Sequence, residues 1–181
     1  MMNFDLSAFQ QQISLQNAAL PPVDKWDPEF CGDIDIQIKH DGTWFYMGTP
    51  IGRKALVKLF ASVLKREDDR YFLVTPVEKV GIQVEDSPFI ITQWQEDNNK
   101  LVLTTNTEHS LIVCSENPIQ IMADKKTGAY LPYVLVRRNL WARLHQNVYY
   151  QLTELGREQK IAGKHHLMLN SGNYRFSLGE L

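Results

Sequence analysis

A chain of 181 residues with 44% hydrophobic and 22% charged residues suits one large domain or two small ones. It is long enough to bury roughly 70% of its unfolded surface, so a real core is expected and disorder along its length is not. A net charge of −2 and a pI of about 6.2 lack the basic excess of a dedicated nucleic-acid binder.

The elements follow in chain order. Leu6, Phe9 and Ile13 recur at helical spacing among Gln and Asn, and predict a short amphipathic helix over Asp5 to Asn17, ended by Pro21-Pro22. Asp33 to Lys39 alternates Ile34, Ile36 and Ile38 with polar residues, the pattern of a half-buried strand; Asp41-Gly42 is a hairpin turn signal and Trp44 to Met47 the returning strand. Apolar residues at 56, 59, 60, 63 and 64 predict a helix within Ile51 to Leu64, with Pro50 near its start. Strands are expected at Tyr71 to Thr75, Val80 to Val84 and Phe89 to Trp94. Glu96 to Asn99 is the most polar stretch and reads as a hairpin or as the joint between two units. Further strands are expected at 101–105, 111–114, 119–122 and 130–136. Apolar residues at 141, 144, 148, 152 and 155 then suggest a helix capped by Gly156, and a closing hairpin turns at Ser171-Gly172.

Much of this order occurs twice. A strand, a Gly turn, a second strand, a Pro, a basic pair and a Leu-rich segment run from Ile36 to Leu64 and again from Ile119 to Val148. Aligned without a gap, Arg53-Lys54 falls on Arg137-Arg138, and Leu56, Phe60 and Leu64 fall on Leu140, Leu144 and Val148. The expected fold class is therefore α+β: a helical arm over 1–22, then two related units of antiparallel strands over 23–97 and 98–181, each with one main helix.

Chemistry is sparse. Neither a Walker A, GxGxxG, GxSxG or HExxH pattern nor a zinc-finger spacing occurs, and no metal, cofactor or catalytic set is expected. Cys31 and Cys114 are the only cysteines, which fits a reducing compartment. No stretch nears 18 apolar residues and the first twenty residues carry no Lys or Arg, so no membrane span or signal peptide is expected, and the expected location is cytoplasmic. The basic pairs are the more telling feature. Cations at a helix N-terminus are mildly unfavourable, whereas anions are favoured there. Arg53 and Arg137 thus call for a counter-anion, either a phosphate or a carboxylate such as Glu78 or Asp86. Thr75-Pro76-Val77-Glu78-Lys79 interrupts two strands and offers backbone groups to a ligand. Trp44 and Tyr133 suit either the core or stacking on a base. If equivalent helix starts approach each other by pseudo-twofold packing, these residues share one site.

These residues also carry a resemblance. Cys31-Gly32-Asp33-Ile34, Asp41-Gly42-x-Trp44, Gly48-x-Pro50-Ile51-x-Arg53, Leu73 to Lys79, Val84-Glu85-Asp86-x-Pro88-Phe89 and Arg137-x-x-Leu140-x-Ala142-Arg143 resemble the bacterial domain of unknown function 1285 family from about Pro22 to the end. The resemblance implies a duplicated α+β core with a second domain loosely like pleckstrin-homology folds. It also implies a site for a nucleotide-like ligand at the domain interface and a role in signalling, with a signalling protein as partner. Ser87 stands where the resemblance leads one to expect a small residue such as Ala, a mild departure. The leading functional expectation is a non-catalytic ligand-binding or sensor protein. An enzyme using Glu78 and Asp86 as acid and base, or a protein-interaction adaptor, is the alternative.

Overall fold

Hydrophobic alternation, tight turns and three short α-helices build two compact units, which divide between Glu85 and Asp86. The computed structural model describes residues 4–14 and 20–181.

The first unit opens with α1 (Leu6–Ser14), which buries Phe9 and Ile13 and exposes Gln11 between them. Asp5 starts it: its Oδ1 accepts the Ala8 N–H at 3.2 Å, satisfying an otherwise orphaned donor. The end expected at Asn17 lies outside the described residues. Six strands follow: β1 (Phe30–Ile38), β2 (Trp44–Tyr46), β3 (Thr49–Pro50), β4 (Leu64–Glu67), β5 (Arg70–Val74) and β6 (Lys79–Val84), with α2 (Lys54–Ser62) between β3 and β4. The Asp41-Gly42 turn forms as read. Gly42 sits at φ +88, where a Cβ is unfavourable, and Asp41 Oδ1 accepts the Thr43 N–H at 2.9 Å. The sheet order is β3-β2-β1-β6-β5-β4. Every ladder is antiparallel except the central one, where β1 and β6 run parallel. Phe60 of α2 packs between Phe9 (6.2 Å between ring centroids) and Trp44 (6.5 Å, stacked), all three rings being essentially buried. Each such ring contributes about 1.5–3 kcal/mol by leaving water.

The second unit has the same sheet. Its strands are β7 (Phe89–Asp97), β8 (Lys100–Thr105), β9 (Ser110–Ile112), β10 (Ile119–Ala123), β11 (Tyr130–Arg137) and β12 (Leu140–Leu144), in the order β10-β11-β12-β7-β8-β9. Two three-stranded meanders again meet through a parallel pairing of the first strand with the sixth, β7 with β12. Asn98 and Asn99, both left-handed, form the β7–β8 turn. The polar stretch is therefore a hairpin inside this unit, and the division expected near Asn98 differs from that after Glu85.

The repeat lies in the sheets and not in the helices. In the first unit α2 joins the third strand to the fourth. In the second unit α3 (Gln146–Leu155) follows the sixth. The gapless alignment therefore laid a helix over a hairpin and strand: Arg137-Arg138 stands at the β11–β12 turn, with Arg138 at φ +51, and Leu140 to Leu144 is β12. That strand neighbours the parallel ladder and buries four of its five residues. It has lost the alternation that marks a half-exposed strand. The helix proper carries only Val148, Leu152 and Leu155 of the expected apolar face.

A third sheet, in the order β13-β14-β15, comprises β13 (Arg157–Ile161), β14 (Lys164–Ser171) and β15 (Tyr174–Glu180). It packs against β8, β10 and β11 and buries Leu169, Phe176 and Leu178. Gly156 does end α3, but in extended backbone. Its role is close approach: a Cβ there would stand 2.6 Å from Leu167 Cγ and 2.7 Å from Leu167 Cδ1. No helix among the described residues is long and apolar enough to cross a membrane.

Candidate functional site

The site residues expected from sequence fall into both units, and each group has its own chemistry. In the first unit Arg53 is the N-cap of α2, in extended backbone, and makes no capping hydrogen bond. No acidic residue lies in the first turn. Arg53 and Lys54 are both exposed, and neither side chain has a hydrogen-bond or ion-pair partner among the described residues. The helix thus begins with two positive charges beside its own free N–H groups, an arrangement that an anion would relieve. At α3 the contrast is direct, because His145 caps it by accepting the Asn147 N–H on Nδ1 at 3.1 Å.

Thr75 to Lys79 forms the β5–β6 turn. Thr75 is fully buried. Its N–H donates to the Glu78 carbonyl at 2.8 Å, its hydroxyl accepts the Glu78 N–H at 3.0 Å, and the same hydroxyl donates to Gln12 Oε1 of α1 at 2.8 Å. The turn's polar groups are therefore largely spent on closing it, with Pro76 exposed at its corner. Lys79 Nζ donates to both carboxylate oxygens of Glu67, one at 2.7 Å, and lies 4.4 Å from the Phe72 ring centroid. Glu78 is half-buried and its carboxylate has no ion pair among the described residues; it does not serve as the counter-ion of Arg53. Trp44, 1% exposed, is core.

In the second unit Asp86 organises a buried polar cluster. Its Oδ2 accepts from Arg143 at 2.5 Å and from the Tyr133 hydroxyl at 2.8 Å, and its Oδ1 accepts the Lys125 N–H at 2.9 Å. Asp86, Arg143 and Tyr133 are 5%, 6% and 3% exposed, so the pair draws on low-dielectric attraction that a surface pair lacks. Burial, then the hydrogen bond and charge of Asp86, then the charge of Asp124 push the Tyr133 phenol far above its usual range, against the opposing pull of Arg143. Ser87 closes the arrangement: its hydroxyl donates to the Phe89 carbonyl at 2.8 Å and accepts the Arg143 N–H at 3.2 Å. An Ala there would lose both bonds.

Asp124 brings a carboxylate oxygen within 4.8 Å of Asp86. Asp124 Oδ1 also accepts the Lys126 and Thr127 N–H groups, while Asp86 accepts from its three donors. Arg137 lies half-buried with its guanidinium 5.0 Å from the centre of the Phe89 ring. Burial, and secondarily the charge of Arg138, draws its pKa down to about 10. Tyr133 and Asp86 are thus brought together, with Arg143 and Ser87, which sequence reasoning passed over as site residues. The signal for Arg143 was present: a cation inside the apolar run Leu140-Trp141-Ala142-Arg143-Leu144 must find a buried carboxylate.

The comparisons agree with this architecture. Models of the N-terminal and C-terminal domains of the domain of unknown function DUF1285 match residues 21–87 and 88–178. A DUF1285 family protein from Silicibacter pomeroyi DSS-3, known from a crystal structure, is 41% identical, covers 96% of this chain and 95% of its own, and superposes with a TM-score of 0.83. Another DUF1285 family protein, from Shewanella baltica OS155, is 33% identical over 66% of this chain and 90% of its own, with a TM-score of 0.55. No curated protein matches. With both domain models matched in sequence order and the division between them within two residues of the division between the units, the chain belongs to the DUF1285 family.

Proposed function

We propose that this protein is a non-catalytic binding module for a nucleotide-like anion, acting in signal transduction. The observation that carries the reading is the start of α2. Arg53 and Lys54 stand there exposed, unopposed among the described residues, on a helix end with no side-chain cap. A phosphate group suits such an end because free N–H groups and guanidinium donors converge on its oxygens.

The non-catalytic part rests on Asp86. A general acid or base must be able to exchange its proton with substrate, and both Asp86 oxygens are engaged by Arg143, Tyr133 and the Lys125 N–H. The enzyme reading is weaker for that reason. The likeness of the second unit to pleckstrin-homology folds and a cytoplasmic setting belong to the same proposal.

A thermal-shift titration with ADP and with pyrophosphate tests it. Ligand at 100 times its Kd adds about 2.7 kcal/mol, and Arg53→Ala should reduce that shift. A shift of unchanged size in Arg53→Ala would sink the α2 assignment.

A further inference from the structure

Among the described residues the third sheet has no counterpart in the first unit, and its outward face carries charges that the duplicated sheets do not explain. Register sets that face. Arg157 of β13 stands opposite Met168 of β14, and Asn170 of β14 stands opposite Arg175 of β15. Met168 and Asn170 are two apart and point the same way, so Arg157, Asn170 and Arg175 share one side of the sheet. The buried residues Leu169, Phe176 and Leu178 occupy the other.

These polar residues line a cleft of about 290 Å³, bounded by Leu155 at the end of α3. No acidic residue lines it. Arg157, Asn170 and Arg175 are exposed, and none of the three side chains has a hydrogen-bond or ion-pair partner among the described residues. The nearest acid in sequence, Glu158, falls on the opposite face by alternation and is paired with His165 at 2.6 Å. Two guanidinium groups at one cleft repel each other unless something negative lies between them, and a planar guanidinium binds oxygen pairs bidentately.

We propose that this cleft is a second oxyanion site, taking a phosphate or pyrophosphate group. Arg157 and Arg175 supply charge and paired donors, and the Asn170 amide supplies a neutral donor between them. The assignment stands apart from the start of α2 and does not depend on it.

The test titrates the full chain with inorganic phosphate, pyrophosphate and ADP while following the arginine Nε–Hε signals by NMR. Saturable shifts of the Arg157 and Arg175 signals are expected. Arg157→Gln and Arg175→Gln should each weaken binding about tenfold, equivalent to about 1.4 kcal/mol, while Arg53→Ala leaves these shifts intact. Tighter binding of ADP than of pyrophosphate would support a phosphorylated small molecule as the ligand; the reverse would support a free oxyanion. The proposal is overturned if no probe gives saturable shifts, or if the double variant binds like the parent. It is equally overturned if the variants lose only thermal stability with binding unchanged, because the arginines would then serve just to complement the carbonyl end of α3.

Discussion

Arg143 donates to Asp86 at 2.5 Å with the two side chains 8% and 2% exposed, a deeply buried ion pair of the second unit. Removing one partner strands the other charge away from water. Asp86→Ala and Arg143→Met should therefore each cost about 3–5 kcal/mol in urea unfolding. The double variant should cost less than the sum of the two, since it leaves no orphaned charge. Strict additivity would mean that the pair is not energetically coupled.

His109 sets a pH dependence. Burial, and secondarily the charge of Arg137, holds its pKa below the ordinary 6.5. As pH falls through about 6.5 the unfolded chain takes up a proton there that the folded chain resists. More protons bound in the unfolded state means stability falls as pH falls, so the contribution is present above that pH and is lost below it. The urea midpoint should drop between about pH 7.5 and about pH 5.5, and His109→Asn should flatten the drop. An equal drop in both proteins would show that His109 plays no part.

Gly156 and Gly52 make a matched pair. A Cβ at Gly156 meets Leu167 at 2.6 and 2.7 Å and Leu169 at 3.0 Å, whereas one at Gly52 meets nothing within 4 Å. Gly156→Ala should destabilise by about 1–3 kcal/mol through overpacking. Gly52→Ala should be neutral or stabilise by up to about 1 kcal/mol through the unfolded chain. Thermal melts of the two variants separate these outcomes, and a harmless Gly156→Ala would contradict the packing argument.

Legibility followed exposure. β1 could be read because one face is wet and Ile36 and Ile38 alternate with polar neighbours. α1 could be read because Phe9 and Ile13 stand out against glutamines. β12 could not, since burial on both faces removed its alternation, and Trp141 and Leu144 happen to continue the spacing of the true helix behind them. That coincidence turned a duplication of sheets into an apparent duplication of helices. At the site, Asp86 was legible as an acid two residues before Pro88. Its partner Arg143 lies 57 residues later, and only the pairing of β12 with β7 brings it back. Trp44 and Tyr133 were ambiguous because aromatic residues serve core and ligand stacking alike, and the structure buries both.

Arg53 is proposed to anchor an anion that undergoes no chemistry. Isothermal titration of the full chain with ADP, followed by chromatography of the recovered ligand, tests it most directly. A saturable isotherm is expected whose affinity Arg53→Ala lowers by at least about tenfold, a loss of about 1.4 kcal/mol, with ADP recovered intact. An isotherm unchanged by Arg53→Ala, or ADP converted to product, would contradict that proposal.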